Sequence, residues 1–364
     1  MKTNNSQFFA FVKKEFYHIL RDKRTILILL VMPVIQIILF GFAISNEVKD
    51  TPFAIFAPVK NDAAQQITER LTASGFFVLK KELQNPDEIE KTFQKGESRL
   101  VVVFDDDGIQ LIADATDANQ ANTVVNYASS IINQWRMENL QSASQINIIR
   151  IIPEIKMLYN PQMKGAYNFV PGVLGLVLVL ICAMMTSVSI VREKEMGTME
   201  VLLVSPVKPI YILFAKITPY FALSIINLTT ILLLSVFVLD VPIMGSLFLL
   251  ILLSLLFIFV GLSLGVMISN IVETQVAAML ISAMVMMMPT MLLSGMMFPI
   301  ESMPKILQVI SVIPPNRWYV EGVIKLMIMG VDAKYVIKEF AILGIMAIVL
   351  LTVSLKKFNI RMTK

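Results

Sequence analysis

Long apolar runs alternate with short polar segments along most of the chain. A helix needs about 20 apolar residues to cross a bilayer, and six runs are long enough. They cover roughly 26–44, 168–191, 215–239, 246–269, 276–298 and 336–354. The first run contains Pro33 and Gln36, which neighbouring helices can accommodate. It favours a span over a cleavable signal. The pattern predicts an α-helical polytopic membrane protein with six transmembrane helices.

The sixth run is the least apolar, because Lys338 and Glu339 lie near its start. Both side chains can extend to the interface if that end of the helix lies at the membrane surface. Elsewhere, Asp240 and Glu273 fall at the predicted ends of spans. Ionisable residues inside spans usually mark ion or proton pathways, so their scarcity argues against a proton-coupled carrier.

One polar segment, residues 45–166, is long enough to bury its own core. Periodicity and turn residues predict strands and helices that alternate along it. The expected strands are 51–57, 76–79, 99–104 and 109–114, with a returning strand at 154–160, and the expected helices are 62–74, 85–96 and 122–140. The segment is predicted to be an α/β domain inserted between the first two spans.

Basic residues indicate how the chain crosses the membrane. They cluster in residues 1–25, in 191–216 and in the tail 355–364. Six spans place these three segments on one side, which the positive-inside rule makes cytoplasmic. The segment 299–335 also carries lysine and arginine, but it is longer and contains acids. Both termini are therefore predicted to be cytoplasmic and the 45–166 domain extracytoplasmic.

Two segments outside the spans have helical patterns of their own. Residues 1–25 form an amphipathic pattern that predicts a helix lying along the cytoplasmic face. It either anchors the first span or connects it to a cytoplasmic partner. Residues 299–335 contain two apolar helical stretches separated by Pro314 and Pro315. Both stretches are too short to span, so they predict an outer re-entrant segment covered by protein.

Composition limits the chemistry of the chain. Hydrophobic residues make up 56% and charged residues 16%, whereas soluble domains carry about 25% charged residues. A net charge of +4 is too small to indicate nucleic-acid binding. With His18 and Cys182 as the only histidine and cysteine, a zinc site or an intramolecular disulfide is not expected. No phosphate-binding glycine loop occurs, so we expect no catalytic site, metal or ATP site.

Methionines crowd the fifth apolar run. Met is flexible and polarizable, and it adapts to many apolar shapes. The candidates for a substrate-lining surface are Met284, Met287, Met288 and Met291. Lipid contact and ordinary helix packing explain the same pattern, and the sequence leaves both interpretations open.

A charged segment follows the second run directly. In VREKEMGTMEVLLVSP (191–206), residues 192–204 can form a short amphipathic helix. Its exposed polar side would carry Glu193, Glu195 and Glu200. Gly197 permits a change of direction, and Pro206 ends the helix. A helix across the cytoplasmic mouth of two spans could transmit an applied force to both.

Four stretches together carry a family resemblance. They are VREKEMGTMEVLLVSPVKPIYILFAKITPY (191–220), LYNPQMKGAYNFVPGVLGLVLVLI (158–181), LLSGMMFPIESMPKILQVISVIPPNRWYVEGVIKLMIMG (292–330) and IADATDANQANTVVNYASSII (112–132). The chain resembles a permease subunit of the ABC-2 type exporters, in the branch with a large outer domain between the first two spans. The resemblance covers nearly the full length.

The resemblance implies a bacterial inner-membrane exporter of drugs or lipid-like molecules. Two permease subunits, identical or related, would form the pore among membrane lipids. Separate ATPase chains would bind beneath them and use ATP and Mg, and a periplasmic adaptor often works with this branch. The segment 192–214 would hold the ATPase-coupling contacts, for which the candidates are Arg192, Glu193, Glu195, Gly197, Thr198 and Glu200. The alternative is that these charges only keep the segment in water.

Two other classes of function compete with transport. A membrane-anchored receptor could sense an outer ligand through residues 45–166, although six spans exceed what such an anchor needs. An intramembrane enzyme is disfavoured because the spans lack midplane His, Asp or Glu. Within transport, the cargo stays open between amphipathic drugs, lipid-linked glycans and sodium.

Overall fold

A computed structural model describes residues 2–43, 50–58, 62–105, 108–116, 118–143, 158–160, 164–198 and 209–362. The chain divides into two compact units. A helical unit comprises residues 1–45 and 158–364, and a smaller unit comprises residues 46–157.

In chain order, the elements alternate as the two units require. They are α1 (Lys2–Arg21), α2 (Lys23–Ala43), β1 (Thr51–Phe56), α3 (Asp62–Ala73), β2 (Phe77–Leu83), α4 (Asp87–Gln94), β3 (Leu100–Asp105), β4 (Gly108–Ala113), α5 (Ala118–Ala143), α6 (Ala166–Glu195), α7 (Pro209–Phe237), α8 (Leu247–Ser269), α9 (Gln275–Leu293), α10 (Lys305–Ile310), α11 (Pro315–Val323) and α12 (Ile337–Met362). Short helical turns lie at Ile300–Ser302, Ile324–Ile328 and Ala333–Tyr335.

Among the described residues, five helices are long and apolar enough to cross a membrane: α6, α7, α8, α9 and α12. The pair α1 and α2 makes a sixth candidate if it counts as one span, with a bend of 71° between its halves. At the bend, the Asp22 carboxylate accepts hydrogen bonds from the Thr25 backbone N–H at 3.2 Å and hydroxyl at 2.6 Å. Five to six candidate spans confirm the predicted helical polytopic class.

Helix α6 lies at the centre of the helical unit and contacts α2, α7, α8 and α9. Its closest neighbour is α8, which presents Gly261 and Gly265 four residues apart. A Cβ on Gly265 would lie 2.6 Å from the Ala183 carbonyl oxygen, and one on Gly261 would lie 2.8 Å from the Cys182 Cβ. The two glycines therefore let the backbones of α6 and α8 approach closely, as small residues do in membrane helix pairs.

The smaller unit is built on a four-stranded sheet in the order β2-β1-β3-β4. Strand β1 runs parallel to β2 and β3, and β4 is antiparallel to β3. Helices α3 and α5 cover one face through Ile67, Leu71, Val124 and Ala128, and α4 covers the other. This sheet agrees with the expected α/β character. The returning strand predicted at 154–160 lies outside the described residues up to 157, and residues 158–160 are not in a strand.

Glu339 differs from the sequence expectation that it extends to the membrane interface. Its side chain is fully buried at the start of α12, and Oε1 lies 2.7 Å from the Lys325 Nζ. Lys325 also pairs with Glu321 at 2.9 Å. Burial is possible because the turn at Ile324–Ile328 brings this lysine to the carboxylate, and an ion pair replaces solvation.

Candidate functional site

The charged segment after the second apolar run begins inside a helix. Residues Arg192–Glu195 form the last turn of α6, and the helix ends at Met196. The expected separate helix over 192–204 is therefore wrong for its first four residues, since backbone hydrogen bonding continues from the span. Residues 199–208, including the coupling candidate Glu200, lie outside the described residues.

Three charged side chains from three helices meet at this end of the unit. Lys216 Nζ on α7 lies 3.0 Å from Glu193 Oε1 on α6 and 3.2 Å from Glu15 Oε1 on α1. The Lys216 side chain is only 4% exposed and that of Glu15 only 8%. Lys14 lies 3.8 Å from both carboxylates. We call Glu15, Glu193 and Lys216 the three-helix network.

Glu193 is therefore less exposed than the amphipathic pattern suggests. Its carboxylate is 18% exposed and faces Lys216. The Thr198 hydroxyl donates to the Glu193 carbonyl oxygen at 3.2 Å and also to the Glu193 carboxylate. The network thus continues into the turn that follows α6.

Glu195 contacts a different helix. Its Oε2 accepts hydrogen bonds from the Gln275 backbone N–H at 3.0 Å and side-chain amide at 2.8 Å. Gln275 is the first residue of α9, where the Thr274 hydroxyl also caps the Ala277 N–H. A carboxylate is favoured there, because the first turn of a helix has unsatisfied N–H groups and a partial positive charge.

Lys194 reaches a third direction. Its ammonium donates to the backbone carbonyl of Ser269, the last residue of α8. Cations are favoured at the carboxyl end of a helix. Consecutive residues in a helix project about 100° apart, so Glu193, Lys194 and Glu195 contact different neighbours. The last turn of α6 is thereby joined to α1, α7, α8 and α9.

The turn of residues 196–198 is exposed beyond these contacts. Gly197 has φ of 70°, and no atom lies within 4 Å of the position a Cβ would occupy. Its N–H donates to the Lys194 carbonyl at 3.1 Å, and the Met196 N–H donates to that of Arg192 at 3.0 Å. Glycine is required here by the left-handed backbone. We call residues 196–198 the exposed turn.

Arg192 points away from the exposed turn. It lines a cavity of about 330 Å³ bounded by α1, α2, α6, α7 and the start of α9. The four methionine candidates lie on α9. Met284, Met287 and Met288 are 70%, 46% and 66% exposed, and Met291 is half-buried against the core.

Sequence reasoning missed Lys216, Lys194 and Glu15 as partners of the charged segment. Lys216 could have been found, because it lies inside an apolar run and a buried cation needs a counter-charge. Nothing local distinguishes Glu15 from other acids. The Ser269 carbonyl and the Gln275 N–H are backbone groups and have no sequence signature.

A bundle of apolar helices with a polar turn beyond its central helix is the architecture of a membrane permease subunit. Comparison with known families places the chain among them. Residues 23–356 match the ABC-2 family transporter proteins, and the chain belongs to this family. The resemblance inferred from the sequence is confirmed.

Similar proteins carry related descriptions. The chain is 30% identical over 333 residues to the "Probable multidrug ABC transporter permease YbhS" of Escherichia coli K12, covering 88% of each chain. It is 30% identical to YbhR of the same organism, which has the same description, over 85% of this chain and 86% of the relative. It is 27% identical to the E. coli "Inner membrane transport permease YhhJ" over 89% of this chain and 92% of that one.

Family membership settles the class of function. The chain is a multi-pass membrane permease subunit of an ABC exporter, and the family implies an ATPase partner and a dimeric permease arrangement. Transporter permeases lack their own ATP site, which fits a transport subunit rather than an enzyme. These relatives support neither the receptor alternative nor a periplasmic adaptor.

Proposed function

We propose that this permease moves amphipathic or lipid-like molecules, including drugs, out of the cytoplasm or the inner leaflet. Two subunits, identical or related, form the pore, and separate ATPase chains supply the energy from ATP and Mg. The printed description of two relatives as multidrug transporter permeases supports the substrate class. The apolar, methionine-rich surface of α9 supports it as well, because such a surface accepts varied apolar shapes.

The permease would face the ATPase with its charged end. In the bacterial inner membrane, both termini and the segment 191–216 would lie in the cytoplasm, and the 46–157 unit outside. The clustering of basic residues supports this orientation. The exposed turn, together with Glu200 further along, would contact the ATPase surface. Gly197 and Thr198 would supply its backbone and hydroxyl groups.

The observation that carries this proposal is the set of three consecutive contacts at the end of α6. Glu193, Lys194 and Glu195 join α6 to the ends of α7, α8 and α9. A displacement of the exposed turn would therefore move several helix ends together. Arg192, Glu193 and Glu195 would then act by transmitting movement rather than by touching the ATPase.

Docking and transmission can be separated by experiment. The permease is co-expressed with its ATPase, and co-purification and export of a fluorescent lipid from proteoliposomes are both measured. Replacing residues 196–204 with a glycine-serine stretch should abolish co-purification. Lys216→Met should leave co-purification intact and greatly reduce export, because the turn would no longer be joined to α7.

Two controls make this test specific. Lys305→Met removes a lysine from α10, outside the charged segment, and should leave both measurements unchanged. If the ATPase still co-purifies after residues 196–204 are replaced, the exposed turn is not the docking surface and this account is wrong.

The methionine surface is tested in the same preparation. Met284→Ala with Met288→Ala should lower export of bulky amphiphiles severalfold while ATPase binding stays normal. Met279→Ala on the same helix serves as a control, since that residue lies one turn or more from the proposed surface. Unchanged export by the double variant would assign these side chains to lipid contact.

A further inference from the structure

Two cavities in the helical unit join into one cleft between α2 and α6. The larger one, of about 330 Å³, lies beside the three-helix network. The smaller one, of about 140 Å³, lies further along α6. Ile28, Leu29 and Met184 line both, so the two volumes are continuous. The larger cavity is within the range of roughly 300–1,000 Å³ typical of ligand sites.

The cleft is polar at one end and apolar along the rest. The polar end is lined by His18, Thr25, Ser189, Arg192, Tyr220 and Gln275. The apolar part continues past Met184 to Leu180, Val177 and Leu176. From Arg192 to Leu176, α6 rises roughly 24 Å at 1.5 Å per residue. One leaflet provides about 15 Å of hydrocarbon, so the cleft can hold an extended acyl chain.

The charge balance at the polar end leaves one cation for a ligand. The carboxylates of Glu15 and Glu193 face the ammonium groups of Lys216 and Lys14. Both oxygens of Asp22 accept hydrogen bonds from Thr25. No ion pair joins the half-buried Arg192 to a carboxylate in the part of the chain that the structure describes.

We propose that this cleft binds an acidic phospholipid, with its phosphate on Arg192 and one acyl chain along α6 between Ile28 and Met184. A guanidinium is well suited to phosphate, because two N–H groups can donate in parallel to two oxygens. The polar hydroxyl and imidazole groups around Arg192 add further donors. This site goes beyond the proposed transport function and does not depend on it.

The test measures lipid binding to the purified full-length permease by native mass spectrometry. The probes are phosphatidylglycerol and phosphatidylcholine with the same acyl chains. The unmodified chain should bind phosphatidylglycerol more tightly. Arg192→Gln should weaken that binding about tenfold, since a hydrogen bond to a charged group is worth about 1.5–3 kcal/mol, and should remove the preference between the lipids.

Two further variants separate the head-group and acyl-chain contacts. Met184→Trp fills the wall shared by both cavities and should weaken binding of either lipid. Lys13→Gln removes a positive charge from the exposed side of α1 and should change nothing. Thermal unfolding of each variant verifies that it is folded.

Three outcomes would overturn the proposal. Equal binding of phosphatidylglycerol by the Arg192→Gln variant would exclude Arg192 as the anchor. An equal loss with Lys13→Gln would show attraction by general surface charge. If inorganic phosphate displaces the lipid while Met184→Trp has no effect, the site binds a free anion and holds no acyl chain.

Discussion

Lys216 is a buried cation between two carboxylates, and its environment makes it the most sensitive residue of the charged end. Its side chain is 4% exposed, and it lies within 3.2 Å of both Glu15 and Glu193. The lysine balances two acids that would otherwise repel each other. Lys14 also approaches both acids, but at 3.8 Å and with half of its side chain exposed.

This contrast gives a residue-scale prediction. Lys216→Met should destabilise the folded protein by about 3–5 kcal/mol, because it leaves buried carboxylates without their counter-charge. Lys14→Met should cost about 0–1 kcal/mol, as exposed ion pairs contribute little. Thermal unfolding of the two variants in the same detergent measures the difference. Similar unfolding temperatures for both would show that the network does not stabilise this end of the unit.

A second residue-scale prediction concerns pH. Arg70 on α3 donates a hydrogen bond to Glu138 on α5 and holds the pKa of that carboxyl below its usual range. A lowered folded-state pKa means that the pair stabilises the fold above the unfolded pKa, about 4.3. The stabilisation is lost as pH falls through the folded-state pKa. The effect is small because both side chains are largely exposed.

Trp135 reports on this contact, since its indole N–H donates to Gln66 on α3 at 2.9 Å. In a Trp318→Phe background, Trp135 is the only tryptophan. The urea midpoint followed by its fluorescence should fall more steeply between about pH 5 and about pH 3 than it does in an added Arg70→Met variant. Parallel curves would show that the pair does not contribute.

At the scale of elements, the packing of α6 on α8 depends on two glycines with almost no space above them. At Gly265 the nearest obstacle is a backbone carbonyl, which cannot rotate away as a side chain can. The two helices must separate if this residue grows. Gly344 on α12 has no atom within 4 Å of its Cβ position and offers a matched control.

We therefore expect Gly265→Leu to destabilise the helical unit by about 1–3 kcal/mol or more through overpacking. Gly344→Leu should have little effect, as it adds an apolar side chain in open space. Thermal unfolding and the yield of monodisperse protein measure both. A Gly265→Leu variant as stable as the Gly344→Leu one would contradict the close approach of α6 and α8.

Much of the element order follows from local sequence. Apolar length predicted the long helices, and alternation with turn residues predicted the strands β1 to β4 within one or two residues at most ends. The end of α6 was the exception. Charged residues suggested a new helix at Arg192, whereas their partners on other helices allow the span to continue to Glu195.

At the scale of the whole molecule, the proposed orientation makes a labelling prediction. Cys182 is fully buried, so the unmodified chain should react poorly with a membrane-impermeant maleimide. Ile306→Cys on α10 should label in intact spheroplasts. Met196→Cys in the exposed turn should label only after permeabilisation. Labelling of Met196→Cys from outside would place the exposed turn on the wrong side for an ATPase.

The sequence by itself determined the membrane class, the candidate spans and the inserted polar unit, because hydropathy and periodicity are local properties of the chain. It also located the charged segment, since a cluster of charges beside a span is visible without a fold. Family resemblance added the transport class and the ATPase partner.

Only the tertiary structure decided what each charge in that segment does. The partners of Glu193, Lys194 and Glu195 lie 23, 75 and 80 residues away, and Lys216 lies 201 residues from Glu15. Helix packing sets which of these groups meet, and an ion pair or helix cap forms only between groups that packing brings within a few ångströms. For that physical reason, the joining of four helices by one helical turn could not be predicted from the segment alone.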